Sequence, residues 1–381
     1  MKKKANIAVI GCGNLAQSQH ISNLIKAQNA TAYCFCDVNE ETLKDLQRRF
    51  PEIPVERDYK KVLADENIDG VVIATKEDTH VSLSVEALLA GKHVYVEKPL
   101  AETPEECQKV MEAEKASGKK LIVGMNRRLA PAYRDAKKIL DRNGGLKTAY
   151  YRISDSFSFT WGKSLSLLGQ RLLIECCHII DILRYFTGSE VESVYCYASR
   201  LDEDNVLLRF KNGACATLIS SGHAPWETPK ERFEAIADKG LITVDDFCEL
   251  HTFGMMGEEE CRYYAGHSHV EREATHAVWI ENEGAKANIA LRKWLAEETR
   301  RFEALNSQSD GYAAEKERFD KLPFINYSVD KGWLGAMEHF AEIILNDVPV
   351  EAATAFDAYQ GVKVVDAIIE SRDTGKIVDL I

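Results

Sequence analysis

The six residues Gly11-Cys12-Gly13-Asn14-Leu15-Ala16 constrain this chain more than any other stretch. They have the form GxGxxA and separate an apolar run, Ile7–Ile10, from a helical pattern with Leu15, Ile21, Leu24 and Ile25 on one face. A short buried strand that turns into a helix at two glycines is the signature of a dinucleotide-binding βα unit. Gly11 permits the tight turn. Gly13 lets the backbone approach a pyrophosphate, which then rests on the helix N-terminus opened by Asn14 and Leu15. Ala16 keeps helix and strand close. A second apolar run, Ala32–Cys36, ends in Asp37. A carboxylate there can accept from both adenosine ribose hydroxyls and repels the 2′-phosphate of NADP, and neither Val38 nor Asn39 offers an arginine's charge. The predicted cofactor is therefore NAD, although Asp37 could instead serve only to cap the next helix.

Strand and helix signals continue to alternate through residue 125. Gly70–Thr75 reads as a buried strand, Val81–Leu89 as a helix stopped by Gly91, and His93–Val96 as another strand. Thr103 caps a helix that begins at Pro104, and Leu121–Met125 closes the series. Apolar strands alternating with helices predict an α/β fold: a doubly wound parallel sheet, here residues 1–126. Residues 127–381 read differently. Strands at Lys147–Ile153, Val191–Ala198, Val206–Phe210, Ala214–Ser220, Arg232–Ala237 and Leu241–Val244 follow one another with few helices, which predicts a second, mainly antiparallel sheet. A helix at Ile174–Phe186 interrupts them, and Trp333–Leu345 and Phe356–Ser371 are amphipathic helices. Residues 255–330 read as a charged, less regular insertion with one helix, Leu291–Leu305.

Composition narrows the function. The chain has 381 residues, room for two domains, and a formal net charge of -12. That balance argues against nucleic acid or an anionic membrane as partner. No apolar run is long enough to span a bilayer, and the basic start Met1-Lys2-Lys3-Lys4 lacks a signal peptide's apolar region. A cytoplasmic location is expected. The ten cysteines mostly lie in or beside apolar runs and form no CxxC pair, so they read as reduced, buried thiols. Cys261, His267, His269 and His276 form a loose local cluster; no metal is predicted for it.

Chemistry is suggested by Glu97-Lys98-Pro99 at the end of the strand His93–Val96. Ligands of open α/β sheets lie beyond the carboxyl ends of strands, and a lysine there can stabilise negative charge developing on a substrate oxygen. A plain surface Glu–Lys pair is the simpler alternative.

At this point the chain resembles the Gfo/Idh/MocA oxidoreductases, the family of glucose-fructose oxidoreductase and inositol 2-dehydrogenase. The resemblance is carried by the glycine motif, by Ala74-Thr75 with His80, and by Gly91-Lys92-His93-Val94-Tyr95-Val96-Glu97-Lys98-Pro99. It continues in Val123-Gly124-Met125-Asn126-Arg127-Arg128 and Glu175-Cys176-Cys177-His178-Ile179-Ile180-Asp181. It implies a Rossmann domain followed by an α/β domain whose large open sheet often forms a homo-oligomer interface. It also implies that Thr75, His80, Glu97 and Lys98 border the cofactor, with Lys98 near the substrate oxygen and His178 as general acid/base. Where many relatives carry an aspartate four residues before the histidine, this chain has Ile174, and Glu175 is the nearest acid. Asp181, one turn past His178, is placed to orient its ring or to pack the helix. Arg127 is expected in the substrate cleft rather than as a solvated basic residue. Trp161 could stack on a sugar or simply anchor its loop.

The expected activity is NAD-dependent oxidation of a secondary ring hydroxyl on a sugar, glycoside or cyclitol. The Glu-x-Cys-His pattern points first to a glycoside oxidised to its 3-oxo form. Inositol or nucleotide-sugar dehydrogenation, reduction of a non-sugar substrate, and a non-enzymatic NAD sensor are the alternatives.

Overall fold

The computed structural model describes residues 4–156, 170–225, 227–265, 271–320 and 329–380. Trp161, His267 and His269 lie outside these residues, and the side chain of His276 is likewise not described.

Two sheets organise the chain. The first contains β1 (Ala5–Ile10), β2 (Ala30–Cys36), β3 (Val55–Glu56), β4 (Gly70–Ile73), β5 (His93–Val96) and β6 (Leu121–Val123). Their order is β3-β2-β1-β4-β5-β6, and every pair is parallel. The apolar runs are continuous because both faces are covered. On one face Ala8, Ile10, Val71, Ile73, Val94 and Val96 pack against Leu83, Ala87, Leu88, Cys107 and Val110 of the helices His80–Leu89 and Pro104–Ser117. On the other, Ile7, Val9, Val72 and Tyr95 meet Ile21 and Leu24 of the helix that follows the glycines. That second face is completed by Met337, Phe340 and Ala341 of the helix Trp333–Asn346. The amphipathic pattern announces this helix, but it does not say which sheet receives the apolar stripe.

The second sheet contains β7 (Leu146–Ser154), β8 (Val191–Arg200), β9 (Glu203–Phe210), β10 (Cys215–Ser221), β11 (Glu231–Ala237), β12 (Gly240–Asp245), β13 (Glu249–Phe253), β14 (Cys261–Tyr263) and β15 (Val378–Asp379). Its order is β14-β13-β12-β11-β7-β10-β9-β8-β15, antiparallel except where β7 and β10 run parallel. Alternating residues of β9 and β11 point inward, where Tyr133, Tyr151, Phe186, Phe233 and Phe247 form an aromatic core. Phe186 and Phe233 stack with centroids 4.5 Å apart. The opposite face exposes Tyr197, Leu207, Ile236 and Phe253.

The segment expected to be an irregular insertion is more ordered than its charge suggested. It supplies β14 and a helix, Glu271–Glu303, broken where Gly284 takes φ 56° and ψ -136°. Past the break, the Ala285 N–H donates to Glu249 Oε2 at 2.8 Å, which caps the second helical part. A further helix follows at Tyr312–Asp320. Among the described residues no helix is long and apolar enough to cross a membrane.

Candidate active site

The carboxyl ends of β1, β4, β5 and β6 gather at one edge of the first sheet. There they open onto a cleft of about 380 Å³ shared with residues of the second half of the chain. Gly13, Asn14, Leu15, Thr75, His80, Glu97, Lys98, Arg127, Glu175 and His178, all singled out in the sequence, line this cleft.

The two glycines of the turn differ physically. Gly11 has φ 87°, and a Cβ there would lie 2.6 Å from the Ala74 carbonyl oxygen. Its main chain is clamped from both sides, since Gly11 N–H donates to the Cys36 carbonyl and Ala74 N–H to that of Ile10. A Cβ on Gly13 would meet nothing within 4 Å. The fold therefore requires the first glycine, while the second keeps backbone open toward the cleft. Asp37 caps locally as well as facing outward: its oxygens accept from Cys12 N–H at 2.7 Å and Asn39 N–H at 2.8 Å. Each oxygen retains a further lone pair for a ribose hydroxyl. Open backbone at a helix N-terminus and an acid at the end of β2 fit a bound NAD, with Asn14 and Leu15 along its path.

Beneath this turn Glu97 is buried. His20 Nε2–H donates to Glu97 Oε1 at 2.9 Å, and Lys98 N–H donates to Oε2 at 3.1 Å. Burial alone would raise this carboxyl, but the His20 bond and the Lys98 charge outweigh it and hold it below the ordinary glutamate value. Gly124 makes room for it, because a Cβ there would stand 2.7 Å from Glu97 Oε1. Pro99 follows Lys98 through a cis peptide, and its carbonyl accepts from His80 Nδ1–H at 2.8 Å. His80 thus braces the turn that presents Lys98.

The helix carrying His178 begins with a π-helical turn, Leu172–Cys176. Such turns rearrange the local carbonyls, and here Lys98 Nζ donates to the Ile174 carbonyl at 3.0 Å. The bond ties lysine and histidine segments together across the cleft. His178 is buried, and its Nδ1 has no hydrogen-bond partner among the described residues. Burial, then the charges of Arg127 and Lys98, push the imidazole well below its usual value, against a smaller opposing pull from Glu175. A neutral histidine results, with the capacity to accept a proton.

Glu175 is likewise buried, yet Lys230 and Lys98 outweigh the desolvation and keep it ionised, well below the usual range. Lys230 ion-pairs with Glu175 at 3.3 Å and with Asp155 at 2.6 Å. Arg127 borders the cleft as expected, but its fork is committed. Nη2 and Nε hold the two oxygens of Glu231 at 2.7 and 2.8 Å.

Asp181 is a correction. It does not reach the cleft or orient His178; both its oxygens are held by Arg128, which also reaches Asp357 at 2.8 Å. A helix turns about 100° per residue, so three residues past His178 the chain faces a different neighbour, here the Arg127-Arg128 turn. Of the cysteine–histidine cluster, Cys261 is the member whose side chain is described. Cys261 lies 3.8 Å from Nε2 of His251, which is bonded to Glu249 at 2.5 Å. These three are the described groups close enough to share a metal ion.

Several lining residues had no local signal in the sequence. Lys230, Lys331 and Trp333 line the cleft, with Glu231 beside them. The inward alternation Glu231, Phe233, Ala235 along β11 offers one clue, an acid at an otherwise apolar inward register. His20 had none, being one polar residue on a helix.

Comparison with known proteins follows the same division. Residues 5–125 match the model of the oxidoreductase family with an NAD-binding Rossmann fold, and residues 145–243 match the GFO/IDH/MocA C-terminal domain. A scyllo-inositol 2-dehydrogenase (NAD(+)) of Bacillus subtilis (strain 168) is 30% identical over 267 residues, 66% of this chain and 77% of that protein. A myo-inositol 2-dehydrogenase of Thermotoga maritima is 28% identical over 255 residues, 64% of this chain and 76% of that protein. In fold, the chain is similar to scyllo-inositol dehydrogenase from Lactobacillus casei, solved with NAD(H) and scyllo-inositol. The TM-score is 0.70 at 21% identity, over 99% of both chains.

Proposed function

The chain belongs to the Gfo/Idh/MocA family of NAD-binding oxidoreductases, and from this we propose that it is a dehydrogenase of a secondary ring hydroxyl on a cyclitol-like polyol. The observation that carries the proposal is the neutral, buried His178 facing the same cleft as Lys98 and the glycine turn. When bound, NAD supplies the acceptor for the hydride released by the carbinol carbon. His178 takes the hydroxyl proton. An ammonium carries three donors; one from Lys98 goes to the Ile174 carbonyl, which aims the head toward the oxygen on which charge develops. Glu175, held ionised by Lys230, limits how far the surrounding cations depress His178.

The names of the relatives favour cyclitols over the glycoside first read from the Glu-x-Cys-His pattern. A screen of inositols and glycosides with NAD, followed by NADH absorbance, tests this directly. Turnover of an inositol, abolished in Lys98→Ala, is the expected result. Turnover of glycosides alone would return the first reading, and unchanged turnover in Lys98→Ala would defeat the mechanism. The exposed apolar residues Leu207 and Ile236 on the open sheet face support self-association through that face, measurable by sedimentation.

A further inference from the structure

Three cations besides Lys98 line the cleft, and each is more than nine-tenths buried: Arg127, Lys230 and Lys331. Burying a cation is costly unless a carboxylate meets it. Lys230 has Asp155 and Glu175, and Arg127 has both oxygens of Glu231. Among the described residues Lys331 has no acid to itself. Among the described residues the carboxylate within its ion-pair reach is Glu231, at 3.5 Å. That carboxylate already receives the Arg127 fork and, at 2.7 Å, the Tyr151 hydroxyl. The Lys331 ammonium otherwise lies 5.3 Å from the centre of the Phe247 ring. Of the remaining acids on the cleft, Glu97 is engaged by His20 and Glu77 is exposed.

The main chain that carries this ammonium is anchored. The Asn126 side-chain amide donates to the Lys331 carbonyl at 2.7 Å. The next residue, Gly332, has φ 93°, and a Cβ there would lie 2.5 Å from both the Ala130 nitrogen and the Asn126 carbonyl oxygen. The turn is thus seated directly against the backbone of the segment from Asn126 to Ala130. Burial pushes Lys331 down to about 8, with Lys230, Arg127 and Arg292 adding to the effect and Glu231 opposing it. It is still mostly charged at neutral pH.

A neutral polyol would leave the Lys331 ammonium with only a distant share of Glu231 in a low-dielectric wall, whereas an anion would gain charge-assisted hydrogen bonds from it. We propose that the substrate ring carries an anionic group, a carboxylate or a phosphate, that docks on Lys331 between Arg127 and Lys230. The inference rests on the ring-hydroxyl dehydrogenase reading above and adds to it the charge class of the substrate.

Calorimetric titration of the full chain loaded with NADH tests it, with D-glucuronate, D-glucose 6-phosphate and myo-inositol as carboxylate, phosphate and neutral probes. The expected result is that one anion binds at least about tenfold tighter than myo-inositol, a gain of about 1.4 kcal/mol. Which anion does so identifies the group. The preference should vanish in Lys331→Met and persist in Lys331→Arg. In the unmodified protein, anion affinity should fall as pH rises through about 8, a measurement that does not depend on either variant folding. Equal or tighter binding of myo-inositol, or a preference that survives Lys331→Met, would overturn the proposal. Anion binding without any NAD reduction would leave the Lys331 site standing and defeat the dehydrogenase reading. Reduction of NAD by neutral rings with no anion preference would do the reverse.

Discussion

His20 and Glu97, far apart in the chain, meet at 2.9 Å with both side chains almost fully buried. The histidine holds one carboxylate oxygen while the other receives the main chain of Lys98. Replacing His20 with Ala should leave Glu97 buried with that single partner, at a cost of about 3 kcal/mol in unfolding free energy. A urea titration would read this as a lower midpoint at unchanged slope. The companion variant Glu97→Gln, which keeps a neutral acceptor for Lys98 N–H, should lose less stability than His20→Ala.

The pH profile follows from His178. Its folded value lies well below 6.5 because of burial and the Arg127 and Lys98 charges. The base form therefore persists through neutral pH, and kcat/KM should stay level there and fall only well below pH 6.5. An acid limb centred at 6.5 or above would contradict this. His178→Gln should lower kcat by about 10²–10⁴-fold. The same shift acts on stability, and His93 joins it, pushed down to about 4 by burial and Lys119. Well above pH 6.5 both histidines are neutral in either state. Below it the unfolded chain binds protons that the folded chain refuses, so the unfolding free energy should decline as pH drops below 6.5.

Gly11 and Gly13 should separate folding from cofactor binding. Gly11→Ala places a Cβ against the Ala74 carbonyl at a positive φ, so a lowered Tm is expected. Gly13→Ala adds a methyl that touches no protein atom. It should leave Tm unchanged and weaken NADH binding, read by fluorescence titration.

Asp37 should set the choice between dinucleotides. Facing a 2′-phosphate with a carboxylate costs several kcal/mol, so kcat/KM for NAD should exceed that for NADP by roughly a hundredfold or more. Asp37→Ser should narrow the gap. It also removes the acceptor of Cys12 N–H, so part of the loss with NAD will come from a looser glycine turn.

Most of the first sheet is legible in the sequence because its signals are local. The strand Gly70–Ile73 is a short apolar run after polar residues, and the Thr103 cap with Pro104 marks its helix within four residues. The two-residue β3 and β15 are legible only through their partners, since neither is long enough to show a period. Lys98, His178 and Glu175 carried a motif and stood out. Lys331, Lys230 and Glu231 did not, since each is an ordinary charged residue until folding places it among the others. The pairing of Arg128 with both Asp181 and Asp357 shows the same limit: three segments distant in sequence meet at one guanidinium.

The helix Trp333–Asn346 seals one face of the first sheet, and Asn29 Nδ2 donates to the Glu338 carbonyl within that contact at 2.8 Å. During synthesis, Val9, Val72 and Tyr95 therefore leave the ribosome covered only in part, by Ile21 and Leu24, until this distant helix has been made. Cut out at residue 126, the nucleotide-binding unit would lose the cover that Met337, Phe340 and Ala341 give to that face. Its last structural layer is encoded after β14, so a premature stop before residue 333 should destabilise the first sheet as well.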